Sequence, residues 1–420
     1  MPRLDEPTVS SWTGRHPELG TGPVSYEDSI SPEFFELERE AIFKRAWLNV
    51  GRIEQLPRDG SYFTKELPPA RVSVLVARGT DGEIRAFHNM CRHRGNKLVW
   101  EGTPRQEACG LARQFVCKYH GWRYDLDGSC SHVHQEDRFF DLDKAALGLM
   151  PVHCETWAGF VFVNLAVSPR QSLKEYLGSM VGALEGYPFH EMTECYSFRA
   201  ENQSNWKIFM DAFQEYYHVP PLHTQQLGPG RLQNPDAEFR AAHYQLDGPH
   251  RMVTSSSPAK HELPAKYLYP SELLSRSGNL GPWDAPDLRS ALPGVNPGGV
   301  EQWAIDNFQV FPNLEILIYE RGWYLAYRYW PTSHNTHVFD GHLYFAPARS
   351  ARERVAREYA AVLFKEYALQ DVGTLDGTQL GLESRACDAF PLGDEEILVR
   401  HFHKTVGDWV DAYRREGERE

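Results

Sequence analysis

A run long enough to cross a bilayer is missing from this chain. Its longest apolar stretch, Gly159 to Val167, is interrupted by Asn164. It falls far short of the ~20 residues a membrane helix needs, so it reads as a buried strand. The opening residues, MPRLDEPTVSSW, carry acids and no apolar core, which predicts neither a signal peptide nor an anchor. Basic charge is also scarce: 44 Lys and Arg stand against 57 Asp and Glu, a formal net charge of −13. Without a basic stripe to meet phosphates, neither nucleic acid nor an anionic membrane is an expected partner. Cysteine is sparse, seven in all, and Cys109, Cys130, Cys154, Cys195 and Cys387 show no framework spacing. A reducing, cytoplasmic setting with free thiols is therefore expected, not a disulfide scaffold. Internal repeats, low-complexity tracts and a nucleotide-binding glycine fingerprint are absent from the sequence, so the chain itself is not expected to bind a dinucleotide.

What is present suffices for a large core. The 420 residues, 41% hydrophobic and 13% aromatic, exceed a typical single domain and predict two. Residues 1–46 read as a polar arm followed by PEFFELEREAIFKRA, whose early Pro and helical apolar spacing predict a helix. Over 47–165 the texture changes to short alternating runs such as RVSVLVARG and FVFVN, with turn pairs Asp81-Gly82 and Asp127-Gly128. That is the pattern of a small all-β domain. Over 166–420 it becomes mixed. A helix should carry Trp206 to Tyr217, a Pro/Gly/Ser-rich stretch runs from about Gln225 to Gly299, strands occupy about 305–345, and a helix closes over about 351–369. The expected fold class is α+β. The long stretch is longer than a compact domain tolerates without purpose and suggests a lid or entry channel, with TSSSPAKHELP its mobile part.

Two constellations carry chemistry. The first is Cys91-Arg-His93-Arg and, with 23 residues between His93 and Cys117, Cys117-Lys-Tyr-His120-Gly-Trp122. Two Cys and two His can make a structural zinc site, but such sites usually pair like with like. Here each loop offers one of each, in the same order. That is the ligand set of a Rieske [2Fe–2S] cluster, in which histidines replace cysteines on one iron. The second is Asp211, Glu215, His218 and His223. The first three recur at i, i+4 and i+7, one face of a continued helix. Ile208, Phe209, Met210, Phe213, Tyr216 and Val219 surround them, and buried carboxylates are costly unless paired or bound to metal. Pro220-Pro221 should end the helix and let His223 turn back toward His218. Oxygen-activating iron needs two His and one carboxylate on one side of the metal.

The phrases CRHRGNKL and CKYHGWRYDLDG resemble the two cluster-binding loops of the Rieske non-haem iron oxygenases, in their large catalytic subunit. The resemblance of order and spacing extends over most of the chain. It implies that Cys91 and Cys117 hold one iron of the cluster and His93 and His120 the other. Glu215-Tyr-Tyr-His218-(x4)-His223 is similar to the family's iron-binding segment. QDVGTLDGTQLGLES resembles the phrase that brings its third ligand, which makes Asp371 that ligand, with Asp376 and Glu383 as alternatives. Glu215 stands where the family has an acid, commonly Asp, that links cluster and iron across a subunit boundary, and with Asp211 it is a candidate catalytic acid. The resemblance further implies a helix-grip (START-like) catalytic domain and a homotrimer, with or without a small β subunit. Its electrons would come from NAD(P)H through a separate reductase or ferredoxin, and its reaction is hydroxylation with O2 at mononuclear Fe(II). Phe308, Val310, Leu314, Ile316 and Ile318 alternate as if lining a pocket for an aromatic or alicyclic substrate, and read equally well as core. Asn307, Arg321 and Arg328 carry no assignment. A non-enzymatic Rieske electron carrier or sensor with a ligand-binding domain is the alternative, and it would lack the mononuclear iron.

Overall fold

The computed structural model describes residues 12–223, 240–256, 292–319 and 322–418. Arg321, most of the expected lid and the part of TSSSPAKHELP from Ser257 onward lie outside them. The chain divides into two compact units, Phe43–Tyr176 and Met1–Ile42 with Leu177–Glu420. The arm thus belongs with the larger unit. Among the described residues no helix is long and apolar enough to cross a membrane.

The smaller unit is all β. A seven-stranded antiparallel sheet runs in the order Leu48–Arg52, Phe160–Asn164, Pro151–Trp157, Ile84–His88, Val72–Arg78, Ser61–Leu67 and Cys109–Leu111. A three-stranded sheet of Phe115–Val116, Arg123–Tyr124 and Cys130–His132 stands beside it. The strand Phe160–Asn164 is buried throughout, as the apolar run of its first four residues implies. At the Asp127-Gly128 turn Gly128 has φ +88°, and a Cβ there would lie 2.4 Å from the Phe87 ring. Only glycine admits both the turn and the packing. One core joins Leu75, Phe87, Leu98, Phe115, Trp122, Tyr124 and Leu126 to Cys91 and Cys117.

The larger unit holds, among its described residues, a second seven-stranded antiparallel sheet. Its order is Glu194–Asn202, Thr336–Phe345, Tyr324–Ser333, Leu314–Tyr319, Trp303–Val310, His250–Ser256 and Arg240–Asp247. The last two strands fall inside the stretch expected to be a loop. The central strands Trp303–Val310 and Leu314–Tyr319 are buried at every residue, so the middle of the sheet is covered on both faces. That corrects the half-buried expectation and the lining set read from it. Asn307 Nδ2 donates to the Phe213 carbonyl at 2.6 Å, and Tyr327 lies edge-on to Phe213. The face carrying Asn307, Gln309, Glu315 and Leu317, paired across the strands, therefore meets the site segment. Phe308, Val310, Leu314, Ile316 and Ile318 point the other way. Arg328, in register with Leu314, lies with them beside His342.

Helices close over the sheet. The long helix Ala351–Glu383 starts at Ser350, whose side chain accepts Glu353 N–H. It continues well past the expected end near 369, through Gly373, Gly377 and Gly381. A further helix, Ile397–Gly417, follows. In the arm the helix Pro32–Glu38 runs into a π turn, Arg39–Phe43. Its last residue, Glu38, is fully buried. It meets Lys207 Nζ at 2.5 Å and accepts Trp206 Nε1–H, which ties the arm to the helix Trp206–Ala212 through a paired buried charge.

Candidate metal centres

The two Cys-His loops are built alike. Cys91 N–H donates to Asn96 O and Gly95 N–H to Cys91 O; Cys117 N–H donates to Trp122 O and Gly121 N–H to Cys117 O. Gly95 and Gly121 both have φ +73°, a left-handed conformation that lets each loop double back. The turns bury both thiols and bring His93 Nδ1 to 3.1 Å from His120 Nδ1. Two imidazole nitrogens at that separation, each able to sit ~2.0–2.1 Å from a metal, suit a shared ion. The donor set, two buried thiols and two facing imidazoles, fits a Rieske cluster. Trp122 stacks on His93, centroids 4.9 Å apart and planes at 8°, which fixes the ring.

Tyr124, which sequence reading passed over, is fully buried with its hydroxyl 3.3 Å from Cys91 Sγ. Its oxygen accepts Arg92 N–H at 3.0 Å, leaving its single proton for the sulfur. Burial pushes the Cys91 thiol up, and the Tyr124 hydrogen bond opposes that by favouring the thiolate. A hydrogen bond to cluster sulfur raises the reduction potential. Tyr124→Phe is therefore expected to lower the midpoint potential in a potentiometric titration, by ~40 mV if the bond contributes ~1 kcal/mol to a one-electron couple. An unchanged potential would refute the role.

The second centre departs from the expected helix. The helix capped by Asn205, whose side chain accepts Lys207 N–H, ends at Ala212 rather than Tyr217. Long-range anchors pull the chain out of it: Asn307 holds the Phe213 carbonyl, and Arg251 donates to the Gln214 side chain. Asp211 and Glu215 consequently do not share a face. Asp211 faces His403 Nε2 at 3.0 Å, while Asp28 takes His403 Nδ1 at 2.7 Å. Burial opposes the imidazolium, but the two carboxylates push the His403 pKa up to about 10. Asp211 is therefore one arm of a buried ion triad with His403 and Asp28, apart from the face that Glu215 presents to His218.

Glu215 instead turns to His218: Oε1 meets Nδ1 at 2.6 Å, and Oε2 accepts the His218 backbone N–H at 3.0 Å. Burial works against charge on His218, yet the bond to Glu215, aided by Asp371, raises its pKa. Pro220 and Pro221 do not end a helix. They open the one-turn helix Val219–Leu222, Pro being suited to the first turn. His223 N–H then bonds Val219 O, which returns its ring toward His218.

Asp371 completes the group. The ligand atoms of His218, His223 and Asp371 lie within 4.8 Å of one another, with Asp371 Oδ1 at 3.8 Å from His218 Nε2 and 3.4 Å from His223 Nε2. That oxygen is buried without a hydrogen-bond partner, a costly arrangement that a cation would relieve. Two Nε2 atoms and one carboxylate oxygen fit a divalent iron with open positions. The other acids are engaged elsewhere. Asp376 accepts Gln203 N–H, and Glu383 accepts from Asn335 and Gln379. Gln370, beside Asp371 and missed in the sequence, has Oε1 2.7 Å from His223 Nδ1.

Residues 189–412, more than half of the chain, match the family model of the ring hydroxylating alpha subunit (catalytic domain), and residues 46–152 match that of the Rieske [2Fe-2S] domain. The glycine betaine monooxygenase oxygenase subunit of Chromohalobacter salexigens is 35% identical over 196 residues, 47% of this chain and 42% of that protein. The Spinacia oleracea choline monooxygenase is 34% identical over 200 residues, 46% and 43%. The carnitine monooxygenase oxygenase subunit of Escherichia coli (strain K12) is 31% identical over 191 residues, 45% and 49%. The chain thus spans about half the length of the relatives it matches. The quaternary ammonium Rieske monooxygenase CntA in complex with gamma-butyrobetaine shares the fold, with a TM-score of 0.70 at 18% identity over 97% of this chain and 99% of that one. So does naphthalene 1,2-dioxygenase from Rhodococcus sp., at 0.70, 18%, 95% and 96%.

Proposed function

We propose, because this chain belongs to the family of ring hydroxylating alpha subunits and joins their catalytic domain to a Rieske [2Fe-2S] domain, that it is the terminal oxygenase of a multicomponent system. It would use O2 and electrons from NAD(P)H, delivered by a separate reductase or ferredoxin, to oxygenate a small molecule. The observation that carries this reading is the convergence of His218, His223 and Asp371 on one point. Those three would hold the iron, and Cys91, His93, Cys117 and His120 the cluster. When bound, the two groups supply oxygen activation at open iron positions and one-electron storage.

The chain's own part is orientation. Glu215 keeps the His218 Nδ1 proton, so Nε2 is free to ligate. Its oxygens retain lone pairs and its side chain is 13% exposed, which suits it to accept a ring N–H from a cluster histidine of a second copy. A head-to-tail homotrimer, with or without small β subunits, would supply that copy through one repeated interface.

For substrate, the relatives named for glycine betaine, carnitine and choline make a small quaternary ammonium compound the first class to test, ahead of an aromatic or alicyclic ring. The carrier alternative finds no support among these relatives. The decisive experiment counts iron and product together. The anaerobically reconstituted protein is expected to hold three irons per chain and, with a surrogate reductase, NADH and O2, to convert one of choline, glycine betaine, carnitine or a set of arenes. Two irons and no product across the set would favour the carrier.

A further inference from the structure

The ring of His223 is held on three sides by one helix. Asp371 faces its Nε2 at 3.4 Å, Gln370 Oε1 faces its Nδ1 at 2.7 Å, and the Tyr367 ring stands edge-on at 5.0 Å. Consecutive helical residues are splayed by about 100°, so the adjacent Gln370 and Asp371 can reach opposite edges of one imidazole. Tyr367 lies about one turn before them and meets its face. The chain arrives at His223 from a single helical turn, which by itself does little to orient the side chain.

We infer that Gln370 is a positioning residue for the metal, its amide oxygen holding the Nδ1–H of His223 so that Nε2 is the nitrogen offered beside Asp371. The inference rests on reading His218, His223 and Asp371 as the iron site. A neutral imidazole carries one N–H, and the nitrogen that bears it cannot ligate. With the proton pinned at Nδ1 by an acceptor, the lone pair at Nε2 is directed at the ion. His218 is oriented in the same way by Glu215, so the two histidines use one device with different charge. The neutral amide at 370 suits the charge balance. Asp371 and Glu215 together already offset a divalent cation, so a neutral acceptor suffices at 370.

The test is metal binding, without turnover. Full-length protein with its cluster loaded is stripped of mononuclear metal by a chelator. It is then titrated anaerobically with Co2+, whose visible absorption reports ligand geometry. Gln370→Leu removes the acceptor and is expected to weaken Co2+ binding by about 10- to 100-fold, the usual effect of losing such a partner, with an altered absorption band. Gln370→Glu keeps an acceptor and should bind Co2+ at least as tightly as the parent. Thermal unfolding of the metal-free variants should match the parent, since Gln370 is only half-buried on the helix surface. Parental affinity in Gln370→Leu would overturn the inference, as would equal losses in both variants with unchanged unfolding. If the parent itself bound no Co2+ beyond the cluster, the iron-site reading would fail, and this inference with it.

Discussion

Asp371→Ala is expected to leave the protein coloured and folded but without mononuclear iron or product. The carboxylate is the third member of a three-ligand set, and its Oδ1 is the buried oxygen that faces both histidine Nε2 atoms. Removing it leaves two neutral imidazoles, a weak site for ferrous iron. Metal affinity should fall by more than the ~10- to 100-fold that loss of an outer hydrogen bond costs. The iron count should drop from three to two per chain, with the cluster's visible spectrum unchanged. Cys91, His93, Cys117 and His120 belong to the other compact unit, with both cysteines in its own core, so the spectrum has no reason to respond. His218→Ala and His223→Ala should behave alike.

Asp376→Ala is the matched control, because that acid accepts a backbone N–H from Gln203 at 3.1 Å. Losing it should cost about 0.5–1.5 kcal/mol of stability and no iron. Iron retained in Asp371→Ala but lost in Asp376→Ala, by elemental analysis, would reverse the assignment.

The contrast between these two acids shows where the sequence was legible and where it was not. The cluster loops are legible because everything that defines them is local: Cys at position one, His shortly after, Gly four residues on, twice over. The face of the catalytic sheet is not, because alternation identifies a buried face only when the other is wet, and the strands at 303–319 are buried on both. Asp211 was misplaced for a different reason. The apolar spacing of 206–217 continues a helix, and the break after Ala212 comes from residues remote in sequence, Asn307 and Arg251, gripping Phe213 and Gln214. Tertiary hydrogen bonds overrode local period. The same limit hid His403, which becomes part of the site's support only once the last helix packs. The helix Ala351–Glu383 also runs past the expected end near 369, through three glycines at 373, 377 and 381, each with open space at its Cβ position. They weaken helix propensity without breaking the chain's course.

Glu215→Gln should separate metal binding from electron delivery. The substitution keeps size and one acceptor oxygen, so it can still take the His218 Nδ1 proton, and both metal centres should load to parental levels. What it loses is charge. The parent carboxylate accepts both the ring and the backbone N–H of His218. It retains lone pairs for a third donor, whereas the amide turns one of its two termini into a donor that repels an incoming N–H. If Glu215 receives a cluster histidine of a neighbouring copy, the variant loses a charge-assisted hydrogen bond of ~1.5–3 kcal/mol on the path between centres. At 1.36 kcal/mol per tenfold in rate, that predicts a roughly 10- to 100-fold slowing. The measurement is a single turnover: protein pre-reduced and freed of reductant is mixed with O2 and substrate, and cluster absorbance is followed by stopped flow while product is quenched and counted. Slow reoxidation with slow product, at full iron and an unchanged cluster potential, supports the bridge. Reoxidation and product formation at the parental rate would reduce Glu215 to an orienting partner of His218 and remove the reason to expect the ring of copies that the bridge requires.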